Sequence, residues 1–484
     1  MLKKIASSTV SQILKVLTAI ISIFLLALLT KYLSPELYGQ YNRVYNYLAF
    51  FTFFADLLYT IAVREISKTP QDTGKIVGNI LSLRITLGIF SCLAFLLAFF
   101  LPYHTPLFLA IGVVSIFSIL SLMNSSFLSL MQAHMKMEFS LLSSVANKLI
   151  TFGIICCVAY FFYPAGENTN FSHAFLAILT AGTIGVLVNT LMNRYRANRI
   201  VPIRLLWDSA FIKHIFLTSL PYGIALFLSV VYMKIDIIFI SLLSLPGDLN
   251  ADIAIALYSV PMKIVEVLMV MSGFFLASIL PSLTTSIEKK KEEIFEQIFS
   301  GSFRFLLSLG LMIFVFGKIF KDIFRIITSD AYLDESTAGA TSLDVFEIIT
   351  FGLIFSFLFS LYQYITIAQK KETLLVRINA SITGVNIVGN LIFIPLYGFI
   401  GAAWVTCICQ ILLFFIICSA QRKIPITREW KYVLSIIGIS MGIWMLGKIL
   451  ISFSLTFGDL TIIGGLLCVF LMLSWFAHRH IPYK

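Results

Sequence analysis

Charge is scarce in this chain. Only 12% of its 484 residues are Asp, Glu, Lys or Arg, and 59% are hydrophobic. A soluble domain carries roughly 25% charged residues, so a soluble globular protein is excluded. Cysteine is missing from every polar stretch. Cys92, Cys156, Cys157, Cys407, Cys409, Cys418 and Cys468 all lie in apolar runs, where they read as small buried hydrophobes rather than a disulfide framework. No GxxxxGK[ST] segment exists, so ATP is not expected to drive this chain directly. The six histidines have no metal-ligand spacing, and no metal or other cofactor is expected. No cleavage site follows the first apolar run, so a cleavable signal peptide is not expected either.

Apolar runs are abundant. They reach the ~20 residues that cross a hydrocarbon core about 30 Å thick. Hydropathy predicts fourteen helices, over 8–32, 40–63, 78–102, 107–131, 142–163, 172–193, 216–244, 254–282, 301–324, 346–369, 378–396, 399–420, 433–452 and 460–477. The basic residues test that count. With both termini in the cytoplasm, 23 of the 35 Lys and Arg residues fall on the cytoplasmic side, including Arg194, Arg196, Arg199, Arg204 and the Lys289–Lys291 triplet. The opposite loops carry Glu36, Glu167, Asp248, Asp252, Asp330, Asp334, Glu335, Asp344 and Asp459. A helix too many or too few would scramble this alternation. The net charge of +11 is therefore read as facing anionic lipid, and nucleic acid is not a partner.

A shift of 220 residues aligns the chain with itself: Leu37-Tyr38 falls on Leu257-Tyr258, Arg43 on Lys263, Arg84 on Arg304 and Leu87 on Leu307. Six helices duplicated in parallel are related by an axis along the membrane normal, a plan whose substrate site lies between the halves. The expected fold is all-α and polytopic, with a six-helix lobe over 1–199, a second over 200–425, and two further helices over 426–484.

Charges inside the helices mark the candidate site. Lys15 of "VSQILKVLTAII" stands eleven residues after Lys4, about 16 Å along a helix. Ser8, Ser11, Gln12, Lys15, Thr18 and Ser22 recur every three or four residues as one polar stripe. A charge at mid-helix costs about 2.5–3.5 kcal/mol on insertion scales, so it faces a wet cavity or a partner. Lys148 and Lys234 are the next candidates. Arg84 and Arg304 lie about 10 Å from their helix ends and can line a cavity or snorkel. Lys263 and Glu266, three apart on one face, read as a self-neutralised pair. Asp236, two residues from Lys234, points to another face and does not cancel it. Asp56 either pairs with a nearby cation or binds a coupling ion. With Arg43, seven basic positions within helices oppose three acidic ones. A cavity of that balance attracts anions, and Lys and Arg are the usual phosphate ligands.

Two stretches carry a family resemblance: "LLTKYLSPELYGQYN" after the first helix and "NLIFIPLYGFIGAAWVTCICQ" at 390–410. With the fourteen helices and the repeat, the chain resembles the O-antigen-repeat flippases of the multidrug/oligosaccharidyl-lipid/polysaccharide exporter superfamily. The resemblance implies a MATE-like bilobed bundle in a bacterial inner membrane. It also implies translocation of a polyprenyl-diphosphate-linked oligosaccharide from inner to outer leaflet by alternating access. Implied partners are that lipid-linked substrate, the membrane, a Na+ or H+ gradient, and a glycan polymerase. Tyr222 and Tyr232 are candidates to meet the sugar. A cation-coupled multidrug exporter of the same superfamily remains the alternative. A membrane glycan polymerase or ligase is disfavoured, because the longest outer loop, 325–345, has no His and no Arg beyond its first residue.

Overall fold

The computed structural model describes residues 2–52, 58–59, 62–63, 65–66, 69–92, 96, 105–134, 136–162, 171–319, 322–335, 339–369, 371–421, 429–453 and 466–474. All regular structure among them is helical, and eight helices are long and apolar enough to cross a membrane. The protein is an all-α, multi-pass membrane protein. Its chain divides into two compact units, Met1–Ser241 and Leu242–Lys484.

The first unit contains α1 (Leu2–Tyr32), α2 (Pro35–Thr52), α3 (Thr73–Ser91), α4 (Thr105–Ala133), α5 (Met137–Phe162), α6 (Phe171–Asn198) and α7 (Ser209–Leu242). Pro35 opens α2 with Glu36 in its first turn, where a fixed φ and a negative charge both suit a helix start. α4 packs against α2, α3 and α6, and α5 packs against both α1 and α6. Close approach of α5 and α6 depends on Gly185, where a Cβ would sit 2.2 Å from Thr151 Oγ1. One core gathers Val44, Leu48, Ala110, Val114, Phe175 and Leu179; another gathers Ile76, Ile80, Phe127, Leu130 and Ala197. Water plays no part in lipid-facing association, so such seams rest on packing and buried hydrogen bonds.

The first compact unit extends through Ser241. The physical reason is the base of α7: Ile212 and Ile215 are buried with Leu58 and Leu83 of the first unit. Between α6 and α7 the chain has no regular secondary structure over Pro202–Asp208 and lies along the first turns of α3.

The second unit contains α8 (Ala251–Glu288), α9 (Glu292–Ile319), α10 (Asp322–Ile327), α11 (Ser342–Ala368), α12 (Glu372–Ala420), α13 (Trp430–Phe453), and a helical stretch over 466–474. α11 packs against α8, α9 and α12, and α13 packs on α9. A reciprocal capping box between Thr341 and Asp344 starts α11. α12 is two antiparallel arms joined at Gly398, whose φ of 59° and ψ of −143° belong to a region that is essentially glycine-only. The arms touch closely: a Cβ on Gly401 would lie 2.3 Å from the Phe393 carbonyl oxygen, and one on Gly389 2.9 Å from Val405 Cγ1.

Positions matched by the 220-residue shift have matching environments within their own units. Tyr38 and Tyr258 are both buried, and so are Arg84 and Arg304. Arg43 is buried as well, whereas its counterpart Lys263 is half-buried beside its own carboxylate partner.

Candidate functional site

In the second unit, Arg304 sits on α9 at 1% exposure. Its Nε donates to Glu429 Oε2 at 2.7 Å, and the Glu429 side chain is itself 3% exposed. The guanidinium carbon also stands 5.0 Å from the ring centre of Tyr432, one turn further along. Ser308 lies one turn beyond Arg304. Its hydroxyl donates back to the Arg304 carbonyl at 2.8 Å and shares a 2.7 Å hydrogen bond with the Tyr432 hydroxyl. A buried charge survives only when paired and hydrogen-bonded, and here carboxylate and aromatic face share the task.

Above this cluster opens a cleft of about 820 Å³. Phe275 and Ile279 of α8, Phe305, Leu309 and Met312 of α9, and Phe470 and Met472 of the last helical stretch give it apolar walls. Gln297, Ser302, Ser308, Tyr432 and Ser474 are its polar lining residues. Chemically, it suits a long hydrocarbon chain with a few hydrogen bonds along its edge.

In the first unit, Arg84 of α3 is fully buried and donates from Nη1 to Ser126 Oγ on α4 at 3.0 Å. A polar seam continues through α4 and α6. Asn193 Nδ2 donates to Asn124 Oδ1 at 2.8 Å and Asn189 Oδ1 at 3.0 Å, and Thr190 donates to the Leu120 carbonyl at 3.2 Å. On α5, Lys148 is half-buried; on α7, Lys234 is half-buried and Asp236 is buried.

Arg84 and Arg304 are both buried within their own units. Arg304 is paired with Glu429, as a low-dielectric interior favours a counter-charge. Lys263 is bonded to Glu266 at 2.8 Å, the i, i+3 pair that their spacing suggests. Along the stripe of α1, Thr18 and Ser22 donate to carbonyls one turn back, at 2.8 and 2.9 Å, a common way for helix-borne hydroxyls to satisfy themselves. Lys15 and Gln12 lie on α1 with side chains outside the described residues, as is that of Tyr222; all of Asp56 lies outside them.

Sequence reasoning missed Glu429, Tyr432 and Ser308. Glu429 is the single acid in "QRKIPITREWKY". An acid among basic residues immediately before an apolar helix was the available signal.

The polysaccharide biosynthesis protein family matches residues 1–286. The chain superposes on the lipid II flippase MurJ in an inward closed conformation with TM-score 0.74 at 14% identity, covering 97% of each chain. A multidrug resistance MATE family transporter of the MOP superfamily, facing inward, gives TM-score 0.66 at 14% identity over 85% of this chain and 95% of its own. The MATE transporter VcmN of Vibrio cholerae gives TM-score 0.57 at 14% identity over 86% and 98%. No curated protein matches. At such low identity these structures speak for the fold alone. The family match covers more than half of the chain, and the protein belongs to the polysaccharide biosynthesis protein family.

Proposed function

We propose that this protein is a flippase for a polyprenyl-diphosphate-linked oligosaccharide, an O-antigen or other exported glycan repeat unit. It moves its substrate from the inner to the outer leaflet of a bacterial inner membrane, with both termini cytoplasmic. Two six-helix halves, 1–199 and 200–425, alternate in access, and 426–484 is an appended pair of helices. The observation that carries this reading is the family match on a fold shared with a lipid II flippase.

Charge supports it. Counted from the sequence, Lys15, Arg43, Arg84, Lys148, Lys234, Lys263 and Arg304 oppose Asp56, Asp236 and Glu266 among the candidate charges within helices. That excess suits a diphosphate and opposes a cationic drug. Gln12 and Tyr232 supply hydrogen bonds to sugar, and the apolar cleft of the second unit accepts an isoprenoid tail. An inside-negative membrane pushes a diphosphate outward with about 2.3 kcal/mol per charge per 100 mV. Coupling to Na+ or H+ through Asp56 or Asp236 is the other source of direction, and a glycan polymerase would receive the product.

Lys15→Ala tests the site. The variant is expected to insert normally and to stop glycan export; full export would remove the cationic site from the mechanism. The second reading, a multidrug exporter, is favoured by the MATE likenesses. Purified protein in vesicles separates the two readings: a flippase moves fluorescent lipid-linked sugar and leaves a cationic dye behind.

A further inference from the structure

The segment between α6 and α7 has two unlike faces. Its inner face is bound to α3. A Cβ on Gly78 would lie 2.3 Å from the Arg204 carbonyl oxygen, and one on Gly74 would lie 3.1 Å from Val201 Cγ1. These two glycines, one turn apart, let the strap's backbone lie directly on the helix. Asp208 fastens its far end. The Asp208 N–H donates to Asn79 Oδ1 at 2.6 Å, Lys75 Nζ stands 3.3 Å from Asp208 Oδ2, and Asp208 Oδ1 accepts from the Phe211 N–H at 3.2 Å.

The outer face has a different chemistry. Leu205 is 63% exposed and Trp207 58%, and both stand outside the helices. Around them Arg199, Arg204 and Lys213 are exposed. Arg199 is oriented by Tyr195: its guanidinium carbon stands 4.5 Å from that ring's centre, and it donates to the Tyr195 hydroxyl. Asp208, the one carboxylate of 199–213, is already engaged on the inner side.

We propose that the strap is an interfacial anchor for anionic phospholipid headgroups, with Leu205 and Trp207 inserted at headgroup depth and Arg199, Arg204 and Lys213 gathering lipid phosphates. Charge complementarity selects this occupant: Arg194, Arg196, Arg199, Arg204 and Lys213, which the positive-inside pattern assigns to one leaflet, cluster along the chain around this segment. Trp belongs at such boundaries because its ring is apolar and its N–H polar. Basic residues near an anionic leaflet are attracted within a Debye length. Leu205 and Trp207 are left exposed by their own unit, and a membrane boundary would cover them. The anchor is separate from the transported substrate, and the proposal stands whatever the protein flips.

The test uses the full-length protein in vesicles containing lipids brominated near the headgroup. The Trp207 signal is the difference in fluorescence between wild type and Trp207→Phe. We expect bromolipid to quench that signal, more strongly in phosphatidylglycerol than in phosphatidylcholine, with the difference reduced by salt. Arg199→Gln/Arg204→Gln is expected to lower retention of anionic lipid on the purified protein by roughly tenfold. Gly78→Val, which displaces the strap, should reduce quenching while Trp207 remains. Absence of quenching in every lipid would overturn the proposal. So would quenching indifferent to headgroup charge, or a Trp207 signal that follows protein concentration, which would mark contact between two copies of the chain.

Discussion

Arg304 donates from Nε to Glu429 Oε2 across 2.7 Å, bridging 125 positions of chain. The contact joins α9 to the start of α13. The pair fastens α13 beside the apolar cleft, which Ser308 and Tyr432 line.

Removing one partner leaves the other buried and uncompensated, at a cost of about 3–5 kcal/mol. Arg304→Met and Glu429→Leu are each expected to lower thermal stability sharply in detergent, while the double variant recovers most of the loss. Equal loss in single and double variants would show that packing, and not charge, is at stake.

The reversal within α12 makes a second expectation. Gly401→Ala forces a methyl group into the Phe393 carbonyl, and Gly398→Ala strains the backbone by about 1–3 kcal/mol. Both should reduce folded yield by size-exclusion chromatography. Gly384→Ala, with nothing within 4 Å, should leave the yield unchanged or improved.

Asp208 predicts an acid response. Hydrogen bonding from the Phe211 N–H, then Lys75, holds its carboxyl below the usual Asp value. The clasp is complete above the ordinary Asp range near about pH 4 and loosens as pH falls through the lower folded-state value. Hydrogen exchange at Phe211 and Ile212 should therefore rise only in strong acid, and Asp208→Asn should flatten that response.

Gly78 offers a structural check of the strap. Because the obstacle is the Arg204 backbone, Gly78→Ala should lift the segment and speed trypsin cleavage at Arg204 several-fold. An unchanged digestion rate would mean the strap is held elsewhere.

Much of the helical plan was legible from hydropathy. The expected break between 396 and 399 is the Gly398 reversal, and 142–163 corresponds to α5. Starts were less readable. α9 begins at Glu292 and not at 301, because "EEIFEQIF" is an amphipathic helix whose charges look like a loop to a hydropathy window. α10 straddles the expected end of the ninth helix at 324, and the turn at Asp330–Tyr332 lies within the loop expected over 325–345. Candidate cations were visible as charges in apolar runs, but their neighbours were not. Ser126 for Arg84 and Glu429 for Arg304 are 42 and 125 positions away, distances over which periodicity carries no information. Glu266, three residues from Lys263, was readable for the opposite reason.

The reversal at Gly398 also bears on biogenesis. From residue 378 to 421 no side chain is charged, and the turn between the arms has no polar loop. Neither arm therefore has a hydrophilic segment on which to pause during synthesis. The two should partition from translocon to lipid together as a preformed hairpin, their direction set by Lys370, Lys371 and Arg377 before them and Arg422 and Lys423 after.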